Sequence, residues 1–295
     1  MSAQIISGTE ISKQIREEIK NEVSTLRELH NLVPGLATVL VGDDPASKIY
    51  VSGKEKTCHD LGIYSERIDL PGTTTESQLL EIVGKLNHDS NIHGILVQVP
   101  LPKHIDEKKI LYAIDPQKDV DGFHPMSLGK LMIGEPDFIP CTPHGIMQLL
   151  MRSGINTDGA EVVIVNRSNI IGKPMANLLI QKQKGANATV TICHSSTKNI
   201  RFHTQRADII ITAIGRPNSI TADMVKDGVV VIDAAINEVG KTKDGKRILV
   251  GDVDYEPVKA KASAITPVPG GVGPMTITML MLNTVKAAKI FKGLV

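Results

Sequence analysis

Six short apolar runs set the strongest limit on the fold: Leu36 to Val41, Ile92 to Val99, Glu161 to Val165, Ala188 to Cys193, Ala207 to Ala213 and Val229 to Ile232. Each is shorter than an ordinary helix and rich in aliphatic residues, so each reads as a strand. Several are apolar almost throughout, which suits strands covered on both faces in a parallel sheet. Parallel neighbours need crossover connections, and helix-like or loop segments separate the runs. The expected class is therefore α/β, with a doubly wound sheet in the second half of the chain.

At 295 residues and 41% hydrophobic content, the chain has enough material for two lobes, each with its own core, and a cleft between them is expected. The turns near residues 142 to 145 and 269 to 273 are the expected boundaries. Lys and Arg total 33 against 32 for Asp and Glu, so no whole-molecule field draws the chain to nucleic acid or to an acidic membrane. A small-molecule partner is expected instead. Cys58, Cys141 and Cys193 are scattered and odd in number, and read as reduced intracellular thiols without a metal site. With neither a signal-like N-terminus nor an apolar stretch of membrane-spanning length, a soluble cytoplasmic protein is expected.

Ile11, Ile15, Ile19, Val23, Leu26 and Leu29 recur at helical spacing, with Thr9 as the expected N-cap. Asp44-Pro45 and Leu61-Gly62 are a start and a stop, predicting a helix over residues 45 to 61. A closing helix from Pro274 to Phe291 follows the glycine turn at Gly270 to Gly273, with Ile277, Leu280, Met281, Thr284, Val285 and Ala288 on one face.

Tyr50 and Lys54 share a face of the 45 to 61 helix with Ala46, Thr57, Cys58 and Leu61, and Lys54 is that face's only full charge. On pattern alone two readings stand: a lysine whose stem lines the core while its head reaches water, or a desolvated, reactive amine. Gln98 ends an apolar strand just before Val99-Pro100-Leu101-Pro102, which cannot continue a central strand. It either satisfies loop backbone or faces a ligand at the strand's carboxyl end. Asp121, in Asp119-Val120-Asp121-Gly122, is either a turn former or a ligand-reading carboxylate.

In the second lobe, Glu161 to Val165 runs through Asn166-Arg167-Ser168-Asn169-Ile170-Ile171-Gly172-Lys173-Pro174 into a helical segment. A helix N-terminus after such a turn favours phosphate, although the glycine pattern is incomplete and a plain strand-to-helix turn gives the same sequence. The next strand ends in His194-Ser195-Ser196-Thr197, without the acidic residue that holds a free ribose hydroxyl. With Arg167 nearby, a ribose phosphate is the better guest.

Taken together, these segments resemble the bifunctional methylenetetrahydrofolate dehydrogenase and cyclohydrolase family through nearly the whole chain. The most specific pieces are Tyr50-Val51 with Lys54, Gly94 to Pro102, Asp119 to Gly122, Pro140-Cys141-Thr142-Pro143, and Ile265 to Thr276. The resemblance implies an N-terminal α/β catalytic domain, residues 1–143 with 272–295, whose C-terminal helix returns to it. It also implies a Rossmann-like NADP-binding domain over residues 144–271. It makes Lys54 the catalytic lysine, Gln98 its partner, Tyr50 the ring that stacks on folate and Asp121 the pterin anchor, with Pro269 and Gly273 also at the substrate. Cofactor contacts are implied for Asn166, Arg167, Ser168, Ser195 and Ile236, with Thr142 and Thr276 lining the junction between lobes. A folate substrate, NADP and a homodimer are expected.

Two positions depart from the family's usual glycine: Asn166, and Ala235 in Asp233-Ala234-Ala235-Ile236-Asn237. Asparagine tolerates left-handed backbone, so Asn166 is expected to keep the turn that way. Ala235 adds a methyl on the dinucleotide side.

Overall fold

The computed structural model describes residues 2–242 and 244–295. From the N-terminus the elements are β1 (Gln4–Ile5), α1 (Gly8–His30), β2 (Gly35–Val41), α2 (Pro45–Leu61), β3 (Tyr64–Leu70), α3 (Glu76–His88), β4 (Gly94–Val97), α4 (Glu107–Ala113), α5 (Pro125–Met132) and α6 (Cys141–Arg152). There follow β5 (Glu161–Val165), α7 (Gly172–Leu179), β6 (Thr189–Cys193), α8 (Ile200–Thr204), β7 (Ile209–Thr212), β8 (Val230–Asp233), β9 (Asn237–Lys241), β10 (Arg247–Val250), α9 (Tyr255–Lys259), β11 (Ala264–Ile265) and α10 (Val272–Phe291). Packing divides the chain into two compact units.

One unit comprises Gln14–Cys141 and Ile277–Val295. Its parallel sheet has the order β3-β2-β4, with Val39 of β2 paired to Ile68 and to Val97. Every residue of the central strand β2 is buried, Thr38 included, in keeping with its nearly continuous apolar run. Ala37, Val39 and Val41 pack with Leu79, Val83 and Leu86 of α3 and with Ile95 and Val97 of β4. The predicted helix over 45 to 61 is α2: Asp44 caps it by accepting the Ser47 N–H at 2.7 Å, and Gly62 ends it at φ 74°. The C-terminal helix belongs to this unit from Ile277 onward, where Asn283 Nδ2 donates to the carbonyls of Val120 (2.8 Å) and Ile139 (2.9 Å).

The other unit holds residues 2–13 and Thr142–Thr276. Its six-stranded parallel sheet has the order β1-β11-β8-β7-β5-β6, and β5 to β8 are the strands expected from the apolar runs. Val163 and Val165, Ile210, Val231 and Ile265 form the core on one side of it. The largely exposed strands β9 and β10 form a separate antiparallel pair. The expected cap at Thr9 is corrected here: α1 begins at Gly8, and the Ser7 hydroxyl accepts the Glu10 N–H at 3.3 Å. Thr9 points its hydroxyl at the Gly270 carbonyl instead, 3.4 Å away. Among the described residues, no helix is long and apolar enough to cross a membrane.

Candidate active site and dinucleotide pocket

Helix α2 carries Tyr50 and Lys54 one turn apart, yet their environments differ: Tyr50 is 41% exposed and Lys54 only 9%. The Lys54 ammonium donates to Gln98 Oε1 at 2.9 Å. Gln98 stands just beyond β4, and its Nε2 donates to the Val99 carbonyl at 2.7 Å, which turns its oxygen toward the lysine. Burial holds Lys54 below the usual lysine range, while the charge of Asp121 and, less, that of Cys141 work in the opposite direction. Of the two readings open for Lys54, the desolvated amine is the one this geometry favours.

The two aspartates of Asp119-Val120-Asp121-Gly122 divide the work that the sequence left open. Asp119 is the turn former: it accepts from the N–H groups of Phe123 (3.2 Å) and His124 (2.8 Å) and from the Ser127 hydroxyl (2.6 Å). Burial nevertheless pushes its carboxyl up to about 6. Asp121 lies within reach of the Lys54 charge; burial raises its carboxyl, and the lysine charge and a hydrogen bond with Cys141 pull it back. Cys141 is the residue that sequence reasoning passed over as a plain thiol. It opens α6, its Sγ donates to the Val120 carbonyl at 3.4 Å, and burial raises its thiol further still. Its place directly after Pro140, at a helix start, was the available signal.

In the other unit, Asn166 follows β5 directly and organises the turn into α7 with its side chain. Its Oδ1 accepts the N–H groups of Ser168 (2.8 Å) and Gly172 (3.0 Å) and the Ser168 hydroxyl (2.7 Å), while its Nδ2 donates to the Ala213 carbonyl at 2.6 Å. The left-handed backbone expected at Asn166 is therefore corrected. The described non-glycine residues with positive φ are Asn31, Asn187 and Asn218, and Asn166 keeps the turn through hydrogen bonds instead. Gly172 is obligatory, because a Cβ there would stand 2.2 Å from the Asn166 carbonyl oxygen. Helix α7 starts at that glycine without a side-chain cap.

Asn166, Arg167, His194, Ser195, Ile214 and Arg216 line a pocket of about 470 Å³, and no carboxylate is among its lining residues. Among the described residues, neither guanidinium of the pocket is held in an ion pair, unlike those of Arg67, Arg201 and Arg247. This donor set fits a phosphate-bearing dinucleotide. Ser168 braces the turn: its hydroxyl also accepts the Ile171 N–H at 3.1 Å. Ile236, just past β8, is 44% exposed, and its Cδ1 lies 3.5 Å from where a Gly273 Cβ would stand. Ala235 is buried and donates its N–H to Asp233 Oδ1 at 3.0 Å. The hydroxyls of Thr142 and Thr276 meet at 3.1 Å, and Pro269 follows a cis peptide bond. Pro269 and Gly273 thus belong to the unit of the dinucleotide residues, not to that of Lys54.

Residues 6–121 match the catalytic domain of tetrahydrofolate dehydrogenase/cyclohydrolase, and residues 140–292 match the NAD(P)-binding domain of the same family. The chain belongs to the tetrahydrofolate dehydrogenase/cyclohydrolase family. A bifunctional protein FolD from Syntrophus aciditrophicus (strain SB) is 64% identical over 294 residues, covering 100% of both chains. The crystal structure of a bifunctional FolD methylenetetrahydrofolate dehydrogenase/cyclohydrolase from Campylobacter jejuni is similar at TM-score 0.92 and 47% identity, covering 98% of this chain and 99% of that one. The Trypanosoma brucei FolD, complexed with NADP cofactor and an inhibitor, is similar at TM-score 0.93 and 37% identity, covering 98% of each. Membership gives the family's two-domain α/β architecture, and with it a dinucleotide-binding domain.

Proposed function

We propose that this enzyme oxidises methylenetetrahydrofolate to methenyltetrahydrofolate with NADP and hydrolyses the product to 10-formyltetrahydrofolate. The observation that carries the reading is the 2.9 Å hydrogen bond from a buried Lys54 to Gln98, in a chain that belongs to this family. NADP, when bound, supplies the hydride acceptor. That step asks the protein for aligned carbons and for no acid or base.

Hydrolysis is the step that needs proton transfer. Adding water to the methenyl cation releases one proton, and ring opening moves a second from the new hydroxyl to the departing nitrogen. Lys54, its proton loosened by burial and its amine oriented by Gln98, is suited to take and return these protons. Asp121 anchors the pterin and tempers the lysine's depression. Tyr50, exposed on the same helix face, stacks on the folate and orients it for both steps.

Arg167 and Ser195 hold the phosphate of the adenosine ribose, and Asn166 and Ser168 shape the turn beneath it. Ile236, Thr142 and Thr276 contact the dinucleotide, and Pro269 and Gly273 contact the folate. By function, residues 1–143 with 272–295 serve folate and 144–271 serve NADP, a division by ligand and not by packing. A cytoplasmic homodimer completes the proposal, and it rests on the family resemblance.

An assay of the purified protein with methylenetetrahydrofolate and each dinucleotide in turn tests this reading. Reduced nicotinamide should form with NADP in preference to NAD, and formyltetrahydrofolate should follow. No reduced nicotinamide with either dinucleotide would reject it.

A further inference from the structure

The pocket around Arg167 contains a cation that the proposed reaction has not used. In the order β8-β7-β5-β6, the carboxyl ends of β6, β5 and β7 lie side by side, where open α/β sheets bind ligands. The pocket collects the residues that follow each of them: His194 and Ser195 after β6, Asn166 and Arg167 after β5, Ile214 and Arg216 after β7. Ile236, which follows β8 on the other side of β7, is not among its lining residues. Arg216 therefore shares the end of the groove where the second strand meets a ribose, away from the nicotinamide.

The backbone beneath Arg216 is held by a carboxylate distant in sequence. Asp252 is fully buried, and it accepts the N–H groups of Ile214, Gly215 (3.0 Å) and Arg216 (2.8 Å) and the Thr212 hydroxyl (3.1 Å). Asn237 Nδ2 also donates to it, at 3.2 Å. Gly215 takes φ 79°, the left-handed conformation that lets three successive N–H groups converge on one carboxylate. A turn fixed this firmly presents a side chain from a constant point.

We propose that Arg216 is a specificity-determining residue, a second guanidinium that reads the phosphate on the adenosine ribose of the dinucleotide. The inference rests on the NADP reading above and extends it. Two guanidiniums line one pocket, with no carboxylate in the lining and, among the described residues, no ion pair to either, so an anion there meets two donor forks. A ribose phosphate is dianionic near neutral pH and has oxygens for two forks at once, whereas NAD brings no group to that position.

The test uses the full-length protein and its Arg216→Gln and Arg216→Lys variants. Dissociation constants for NADP, NAD and adenosine 2'-monophosphate are measured by calorimetry, with cyclohydrolase activity in the absence of dinucleotide as the check on folding. Arg216→Gln should weaken NADP and adenosine 2'-monophosphate about tenfold, and NAD by less than about twofold. Arg216→Lys, keeping the charge without the fork, should lose less. Equal weakening of NADP and NAD would overturn the inference, as would unchanged NADP binding or a lysine variant as weak as the glutamine one. A wild-type protein that prefers NAD would instead overturn the NADP reading itself. Loss of NADP preference in Arg167→Ala but not in Arg216→Gln would leave that reading standing and remove only the role of Arg216.

Discussion

Asn166 Oδ1 accepts the N–H of Gly172 at 3.0 Å, closing the turn between β5 and α7 from within. The same oxygen holds Ser168 twice, so one side chain does what a glycine-rich backbone does in related turns. Asn166→Ala should cost about 1 kcal/mol of stability, because part-buried donors lose their acceptor. It should also weaken NADP binding, since Arg167 leaves from this turn. Chemical denaturation and calorimetry on one variant check both; unchanged affinity would show that the turn does not depend on Asn166.

Arg167 offers a fixed donor fork beside Ser195, in a pocket lined by no carboxylate. Arg167→Ala should raise the Michaelis constant for NADP far more than that for NAD. Steady-state dehydrogenase assays with both dinucleotides decide it, and equal effects would sink the assignment.

Asp233 accepts the N–H groups of Ala235 and Val253, yet burial pushes its carboxyl up to about 7. An unfolded aspartate titrates near about 3.9. Between those values the folded chain keeps a proton that the unfolded chain has released, so this group's contribution to stability falls as pH rises from about 4 to about 7. Asp233→Asn stays uncharged and lacks that loss. Its unfolding free energy relative to wild type should therefore climb across the window, and a flat difference would contradict the protonated folded state.

How much was legible follows from what each signal requires. Central strands such as β2 and β5 were plain because burial on both faces forces an apolar run. The edge strand β3, Tyr64-Ser65-Glu66-Arg67-Ile68-Asp69-Leu70, is partly exposed and mostly polar, and so carries no such run. In the exposed pair of β9 and β10, β9 is mostly polar and β10 is only four residues long, so neither carries a clear run. Lys54 and Gln98 were visible as candidates, but their pairing joins residues 44 apart and is a product of the fold. The roles of Asp119 and Asp121 could not be separated from their spacing, because the donors that occupy Asp119 lie four to eight residues onward. Asp252 gave no signal at all, since its partners come from residues 212 to 216 and from Asn237.

The charge of Asp121 raises Lys54 against the lowering effect of burial. Asp121→Asn removes that opposition, so the lysine should lose its proton at lower pH. The limb of the cyclohydrolase pH profile that reports Lys54 should move toward acid, whatever the residual rate. A limb that stays in place or moves toward base would exclude this coupling.

Hydride transfer needs alignment, whereas hydration and ring opening need protons moved, so Lys54 is the residue that should separate the two activities. Tyr50→Ala provides the contrast, because losing an orienting ring should weaken both activities together. The direct measurement is of dehydrogenase and cyclohydrolase rates on one preparation of folded Lys54→Met at saturating folate. That variant keeps the stem and removes the amine hydrogen-bonded to Gln98. The cyclohydrolase rate should fall by roughly 10² to 10⁴, the range for general acid and base catalysis, with a smaller loss of dehydrogenase. A folded Lys54→Met with wild-type cyclohydrolase activity would contradict the proton-transfer role.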